Sequence, residues 1–251
     1  MSLTPATGNY MNFGLEVLQG NGEGINRQDE GAFHETRSGP RLVTAFAKFG
    51  PDLGPSDALQ IGVSAGKSRQ YSRVDDHGDH KHTLEGDTWF GGVDLMYRHE
   101  SGKAYGEGNW RIGGEYYYTQ RSVNARGWSE AHGWRQNPAD FTERQDGLYL
   151  EAVYGIAPRW QIGARAEALG LSNRQVKFHP TLTSAEDTSY RYALQATWRP
   201  RETIFVRGQL TYEDFAGARA HGHSAAESSK DSWVFMLQLN ALFGSHPAHR
   251  F

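Results

Sequence analysis

Residues 74–82, VDDHGDHKH, place three histidines and three aspartates within nine positions. Neutral imidazole beside carboxylate is a sound ligand set for zinc, copper or nickel. A second pair, His221 and His223, sits in the short stretch HGH. The candidate metal ligands are therefore His77, His80, His82, Asp76, Asp79, His221 and His223, with zinc as the expected cofactor. An H-x-x-H-x-H spacing in a loop fixes geometry far less than two histidines one turn apart on a rigid helix. The competing expectation is a polar surface loop in which histidine is merely tolerated. Proteolysis at a rim is another chemistry open to these residue types, with Asp75, Asp76, Asp87, Asp214 and His221 as its candidates. Polar loops supply Asp and His by default. GKS at 66–68 lacks the upstream glycine of a phosphate loop. The expectation is a protein that is not an enzyme.

What these residues can do depends on the elements that carry them. The apolar period is two, the signature of strands with one apolar face. In SYRYALQATWR, Tyr190, Tyr192, Leu194, Ala196 and Trp198 alternate with Arg191, Ala193, Gln195, Thr197 and Arg199. The same alternation runs through NWRIGGEYYYT, RWQIGARAEA, TIFVRGQLTYE and SWVFMLQLNALF. Weaker versions near 10–20, 40–50, 57–67, 87–99 and 146–157 bring the count to ten strands. Their connections alternate in length. Long polar stretches near 21–38, 68–86, 120–145, 171–188 and 214–231 follow the odd strands, and short links such as APR and PRE follow the even ones.

An even-numbered antiparallel meander with one tight end and one elaborated end is the pattern of outer-membrane barrels: short periplasmic turns, long extracellular loops. The expected fold is all-β, an antiparallel up-and-down transmembrane barrel of about ten strands, with 1–251 as one domain or as the carboxy-terminal part of a larger barrel. Lipid takes the apolar face, where aromatics cluster near strand ends: Trp89, Tyr97, Trp110, Tyr118, Trp160, Tyr190, Trp198, Trp233 and Phe243. The lumen takes Glu16, Lys48, Asp94, Arg98, Arg111, Glu115, Glu151, Arg165, Glu167, Arg191, Arg207 and Glu213. Both signs occur in similar number, so cross-strand ion pairs are expected, and ten closed strands would leave at best a narrow polar pore. With the amino terminus on the periplasmic side, every external loop carries a histidine: His34, then His77, His80 and His82, then His132, His179, and His221 with His223. The competing architecture is a soluble barrel whose apolar face fills the interior around a small apolar ligand.

Composition is compatible with either. Among 251 residues, 31 are Phe, Tyr or Trp and 30 are Gly, a mixture that suits strands and turns. There is no cysteine, which excludes a disulfide framework and thiolate metal sites. A net charge of −3 argues against a nucleic-acid partner. MSLTPATGNY has neither the charged start nor the apolar centre of a secretory leader, so the chain reads as cytosolic, mature or trimmed.

Several stretches resemble one Gram-negative family: FGLEVLQGNG, TAFAKFGPDLG, ALQIGVSAG, TWFGGVDLMYR, QDGLYLEAVYGIAPRWQIGAR and the tail FGSHPAHRF. They are similar to outer-membrane proteins labelled zinc-regulated or TonB-dependent-receptor-like. The resemblance covers most of the ten strands and is specific mainly at APRW and the tail. It implies the bacterial outer membrane, contact with its lipid, recognition of the terminal Phe251 by the barrel-assembly machinery, and a link to zinc uptake. Members of that family are usually longer, and no plug domain is present, so nothing here supports TonB-coupled transport. No stretch resembles the ten-stranded omptin proteases. His246 and His249 in the tail allow a metal hand-off, but recognition during assembly is the preferred expectation. The functional expectation is a porin-like barrel that collects or passes divalent metal, against a structural or surface-interaction barrel that does not transport.

Overall fold

A computed structural model describes residues 2–3, 9–18, 40–76, 80–134, 139–172, 174–176, 183–185, 188–215 and 230–242. The chain is an antiparallel up-and-down sheet of ten long strands. These are β1 (Tyr10–Leu18), β2 (Leu42–Gly50), β3 (Asp57–Asp76), β4 (His80–His99), β5 (Trp110–Ser129), β6 (Ala139–Ala157), β7 (Trp160–Leu169), β8 (Ser189–Arg201), β9 (Ile204–Phe215) and β10 (Lys230–Ala241). Each pairs with its sequence neighbour, and the two-residue piece Ser2–Leu3 pairs with β1. The one helical piece among the described residues is a single 3-10 turn, Ala104–Gly106. Among the described residues no ladder joins β10 to β1, so the hydrogen-bonded path has two free ends.

The ten strands fall where the alternation predicts, but the described residues of the connections expected at 68–86 and 120–145 are largely paired strand. The β3–β4 ladder runs on to Asp76 opposite Lys81, and β5 pairs β6 up to Ala125 opposite Ala139. The reason is that ladder hydrogen bonds are made by the backbone, so a polar sequence extends a sheet when its neighbour extends with it. A register slip between Ser68 and Tyr71 marks the level at which β3 leaves its apolar alternation. A short hairpin, Arg174–Val176 with Thr183–Ala185, stands inside the expected 171–188 loop.

Register places all twelve predicted lumen residues on one face. One row runs Asp94, Glu115, Tyr149, Glu167, Arg191, Glu213 across β4 to β9. The opposite face carries rows such as Ile112, Ala152, Ala164, Leu194, Leu210, Phe235 across β5 to β10. Exposure is inverted relative to a water-soluble sheet. Between Tyr190 and Trp198 of β8 the exposed positions are Tyr190, Tyr192, Leu194, Ala196 and Trp198, while Arg191, Gln195 and Thr197 are more shielded. β7 repeats the pattern, with Trp160, Ile162 and Ala164 exposed and Gln161 and Arg165 less so. Among the described residues only Leu42, Phe90 and Val123 are buried apolar side chains, against nine buried polar or charged ones, so no oily core exists on either side. Two glycines on the charged face are covered by a ring from the facing strand: Phe46 over Gly14 and Phe90 over Gly66. Each ring fills the space left by a missing side chain, which fixes it against the sheet.

Candidate functional site

The charged face is organised in three levels. At mid-height, five ion pairs run without a break across five strands. Arg111 meets Glu151 (3.3 Å), Glu151 meets Arg165 (3.7 Å), and Arg165 meets Glu167 (2.5 Å). Glu167 then meets Arg191 (3.4 Å), and Arg191 meets Glu213 (2.9 Å). Ser232 Oγ donates to Glu213 on the β10 side (3.2 Å). The guanidinium of Arg165 also lies over the Tyr149 ring, 4.0 Å from its centre. A single exposed pair is worth about 0.2–1 kcal/mol, but a shared chain holds each side chain from two sides and so fixes its direction. Six charges are thereby matched to one another and lean along the sheet.

Toward the loop end the same face becomes buried. Ser68, Thr88, Arg121 and Glu143 form one register row, all buried, and Arg121 Nη1 donates to Gln145 Oε1 (2.8 Å). Sequence reasoning missed this row, because 120–145 reads as loop and a loop gives no reason to bury an arginine.

Toward the turn end the face opens into a cavity of about 690 Å³. Its lining contains seven basic side chains, among them Arg98, Arg111, Arg159, Arg199 and Arg207, against two carboxylates. A smaller hollow of about 420 Å³, lined by the ion-pair chain, shares Arg111, Gln195 and Arg207 with it. Of these residues, Arg98, Arg111 and Arg207 stand among the predicted lumen set. Arg199 stands on the polar side of the alternation read in SYRYALQATWR but outside the predicted lumen set, and Arg159, in the short link APR, was missed.

On the apolar face, rings gather at two levels. Tyr97 and Trp110 meet edge-on (5.0 Å) and Trp160 stacks on Trp198 (6.0 Å) at the turn end. Trp89 meets Tyr118 (5.2 Å) and Tyr212 meets Trp233 (5.0 Å) at the loop end. In the register row of Trp110, Asp57 Oδ1 accepts from the Tyr97 hydroxyl and lies 2.9 Å from His99 Nδ1. These two partners, the hydroxyl first and the imidazole second, hold the Asp57 carboxyl below its usual range. The trio sits beside Trp110 on the outer face and resembles an anchoring cluster more than a reactive one.

The proposed metal ligands divide between the two parts of the sequence. His77, Asp79, His221 and His223 lie outside the described residues, as do His34, His179, Phe243, His246, His249 and Phe251. The backbones of Asp75, Asp76, His80 and His82 are described, with Asp75 opposite His82 and His80 opposite Ser129. Among the described proteolytic candidates, Asp87 pairs with Lys67 (3.6 Å) on the β3–β4 hairpin, whereas Asp214 stands opposite Tyr190 and Asp231.

No protein-family model matches the chain. A curated relative, an uncharacterized protein of Aquifex aeolicus, is 24% identical over 255 residues, covering 96% of this chain and 48% of that protein. The chain thus spans about half the length of the curated relative it matches. Among solved structures, it is similar to the Pseudomonas putida toluene transporter TodX (TM-score 0.39, 10% identity, 82% of this chain and 64% of that one). It is also similar to the CymD monoaromatic hydrocarbon channel (0.41, 11%, 86% and 68%). A third is OmpT, an outer membrane protein of Vibrio cholerae (0.42, 11%, 82% and 66%).

Proposed function

We propose that this chain forms the wall of a porin-like barrel in the bacterial outer membrane, with the charged face lining a passage for small polar solutes. The observation that carries this reading is the inverted exposure of β7 and β8: apolar side chains point where a solvent must be, and only lipid makes that arrangement favourable. The dimensions support it. From Tyr190 to Trp198 the apolar alternation on β8 spans nine residues, about 26 Å along the strand and about 20 Å after a tilt near 40°. With the flanking rings added, this meets the roughly 25 Å apolar band of such barrels. The two joined hollows on the other face support a polar route rather than a filled interior.

A lipid-facing sheet cannot keep free edges, because each unsatisfied backbone group in hydrocarbon costs several kcal/mol. The reading therefore requires partners for the outer edge of β10 and for the part of β1 that Ser2–Leu3 does not cover. The test is refolding into lipid vesicles, followed by ion conductance across planar bilayers. A chain that stays in the aqueous phase while strand-rich would sink the membrane reading; insertion without conductance would leave the structural-barrel alternative in its place.

Metal collection at the loop end is a second reading. It is favoured by the β3–β4 hairpin, which brings Asp75 opposite His82 on a paired ribbon rather than a free loop. Zinc would be the captured solute, with His77, His80 and His82 as the residues to remove. Calorimetric titration of zinc into the folded protein and its triple alanine variant tests it; equal heats from both would end the hairpin hypothesis.

A further inference from the structure

The turn-end cavity differs from the ion-pair chain above it in one respect: among the described residues, not all of its arginines are matched by a carboxylate. Arg98 has Glu100 (2.8 Å) and Arg111 has Glu151 (3.3 Å). Arg199 and Arg207 have no carboxylate partner among the described residues. Instead both guanidiniums lie against one ring, Phe205, each 5.3 Å from its centre. Arg207 Nε donates to Thr197 Oγ1 (3.0 Å), while Arg199 Nε is buried and lacks a hydrogen-bond partner. The charged neighbours that act on Arg199 are Arg207 and Arg111, both positive. Like charges held together on an aromatic support, with a donor left unsatisfied, constitute a cost that an anion would remove.

The backbone around the cavity is built to hold this arrangement. Arg159 and Tyr105 are the non-glycine residues with positive φ among those described, at 68° and 56°. They support one another: Arg159 N donates to Tyr105 O (3.1 Å), and the Arg159 guanidinium lies 4.3 Å over the Tyr105 ring. The Arg159 side chain donates to Pro200 O, and Arg199 N donates to Arg159 O (2.9 Å). Left-handed backbone at two bulky residues persists only where neighbours over-determine it, and such positions concentrate at binding sites. The strained turn thus locks Arg159 beside Arg199 at the cavity wall.

We propose that this cavity binds a small polyanion, a solute bearing phosphate or several carboxylates, between Arg199, Arg207, Arg159 and Arg111. Guanidinium forks match both groups bidentately. The site's place at the mouth of a passage rests on the membrane reading above; the binding does not.

The experiment is calorimetric titration of inorganic phosphate, and separately of citrate, into folded protein at low ionic strength, where screening is weak. The stronger of the two identifies the ligand chemistry. At least one is expected to bind, with affinity falling tenfold or more in Arg199→Gln and in the Arg199→Gln/Arg207→Gln double variant. Arg199→Lys, which keeps the charge but not the bidentate fork, is expected to bind more weakly than wild type and more tightly than Arg199→Gln, and Arg126→Gln, far up the sheet, to leave the affinity unchanged. Absence of binding of both anions to the folded wild-type chain overturns the proposal, as does unaltered affinity in Arg199→Gln. Vesicle insertion is scored separately, so failure of the membrane reading leaves this titration intact.

Discussion

Leu194 occupies the middle of β8, four residues from Tyr190 and four from Trp198, and its side chain is 63% exposed. Its register neighbours are Ala164 on one side and Leu210 on the other, so arginine there would meet no steric bar. If that surface faces water, Leu194→Arg changes folding stability by no more than about 0.5 kcal/mol, as surface substitutions generally do. If it faces the bilayer midplane, the guanidinium must be drawn into hydrocarbon at a cost of about 2–4 kcal/mol. That is roughly a 30- to 700-fold drop in the folding equilibrium constant. The assay is a urea titration of the protein folded in short-chain lipid vesicles, read by tryptophan fluorescence. The adjacent Gln195→Leu, on the charged face, is the internal control and should move the midpoint far less. A Leu194→Arg loss below about 0.5 kcal/mol, with Gln195→Leu costing more, would falsify the assignment of faces and with it the passage.

Other consequences are measurable in the same system. Leu237→Arg on β10 should cost as Leu194→Arg does, while Arg207→Leu should cost less in folding. Asp57 is held below its unfolded value near 3.9, so its contribution is present above that pH and disappears as pH falls through the lower folded value. Tyr97→Phe, which removes the larger of its two supports, should shift acid destabilisation to higher pH, and Asp57→Asn should remove the Asp57 component; acid titration followed by circular dichroism reads both. Gly66→Val puts a side chain into the Phe90 ring and should cost about 1–3 kcal/mol, partly recovered in Gly66→Val/Phe90→Ala, as a double-mutant cycle would record. In lipid, the amides of β10 that point away from β9 should be protected from hydrogen exchange, because an unpaired edge is not tolerated there. Rapid exchange at those amides in a fully inserted protein would contradict the lipid-facing assignment.

Alternation alone determined the ten strands and the division of Arg191, Glu167 and Arg165 from Tyr190, Ala168 and Ala164, because a period of two is a local property of extended backbone; the antiparallel order of the strands came from the alternating link lengths. Which face met the more apolar surroundings was already implicit in the even strand number and the alternating link lengths. The partner of each charge was not. Whether Glu167 meets Arg165, Arg191 or neither depends on register between strands, and register is set by turns and bulges such as the slip after Ser68. Nor could the sequence show that 71–76 and 81–86 pair as ribbon, since polar residues in a hairpin and in a loop look alike along the chain. The unmatched Arg199 and Arg207 are the sharpest case. They lie eight residues apart across a turn, yet what makes them a pair is one phenylalanine ring and the absence of a described carboxylate beside them, and proximity of that kind exists only once the sheet has formed.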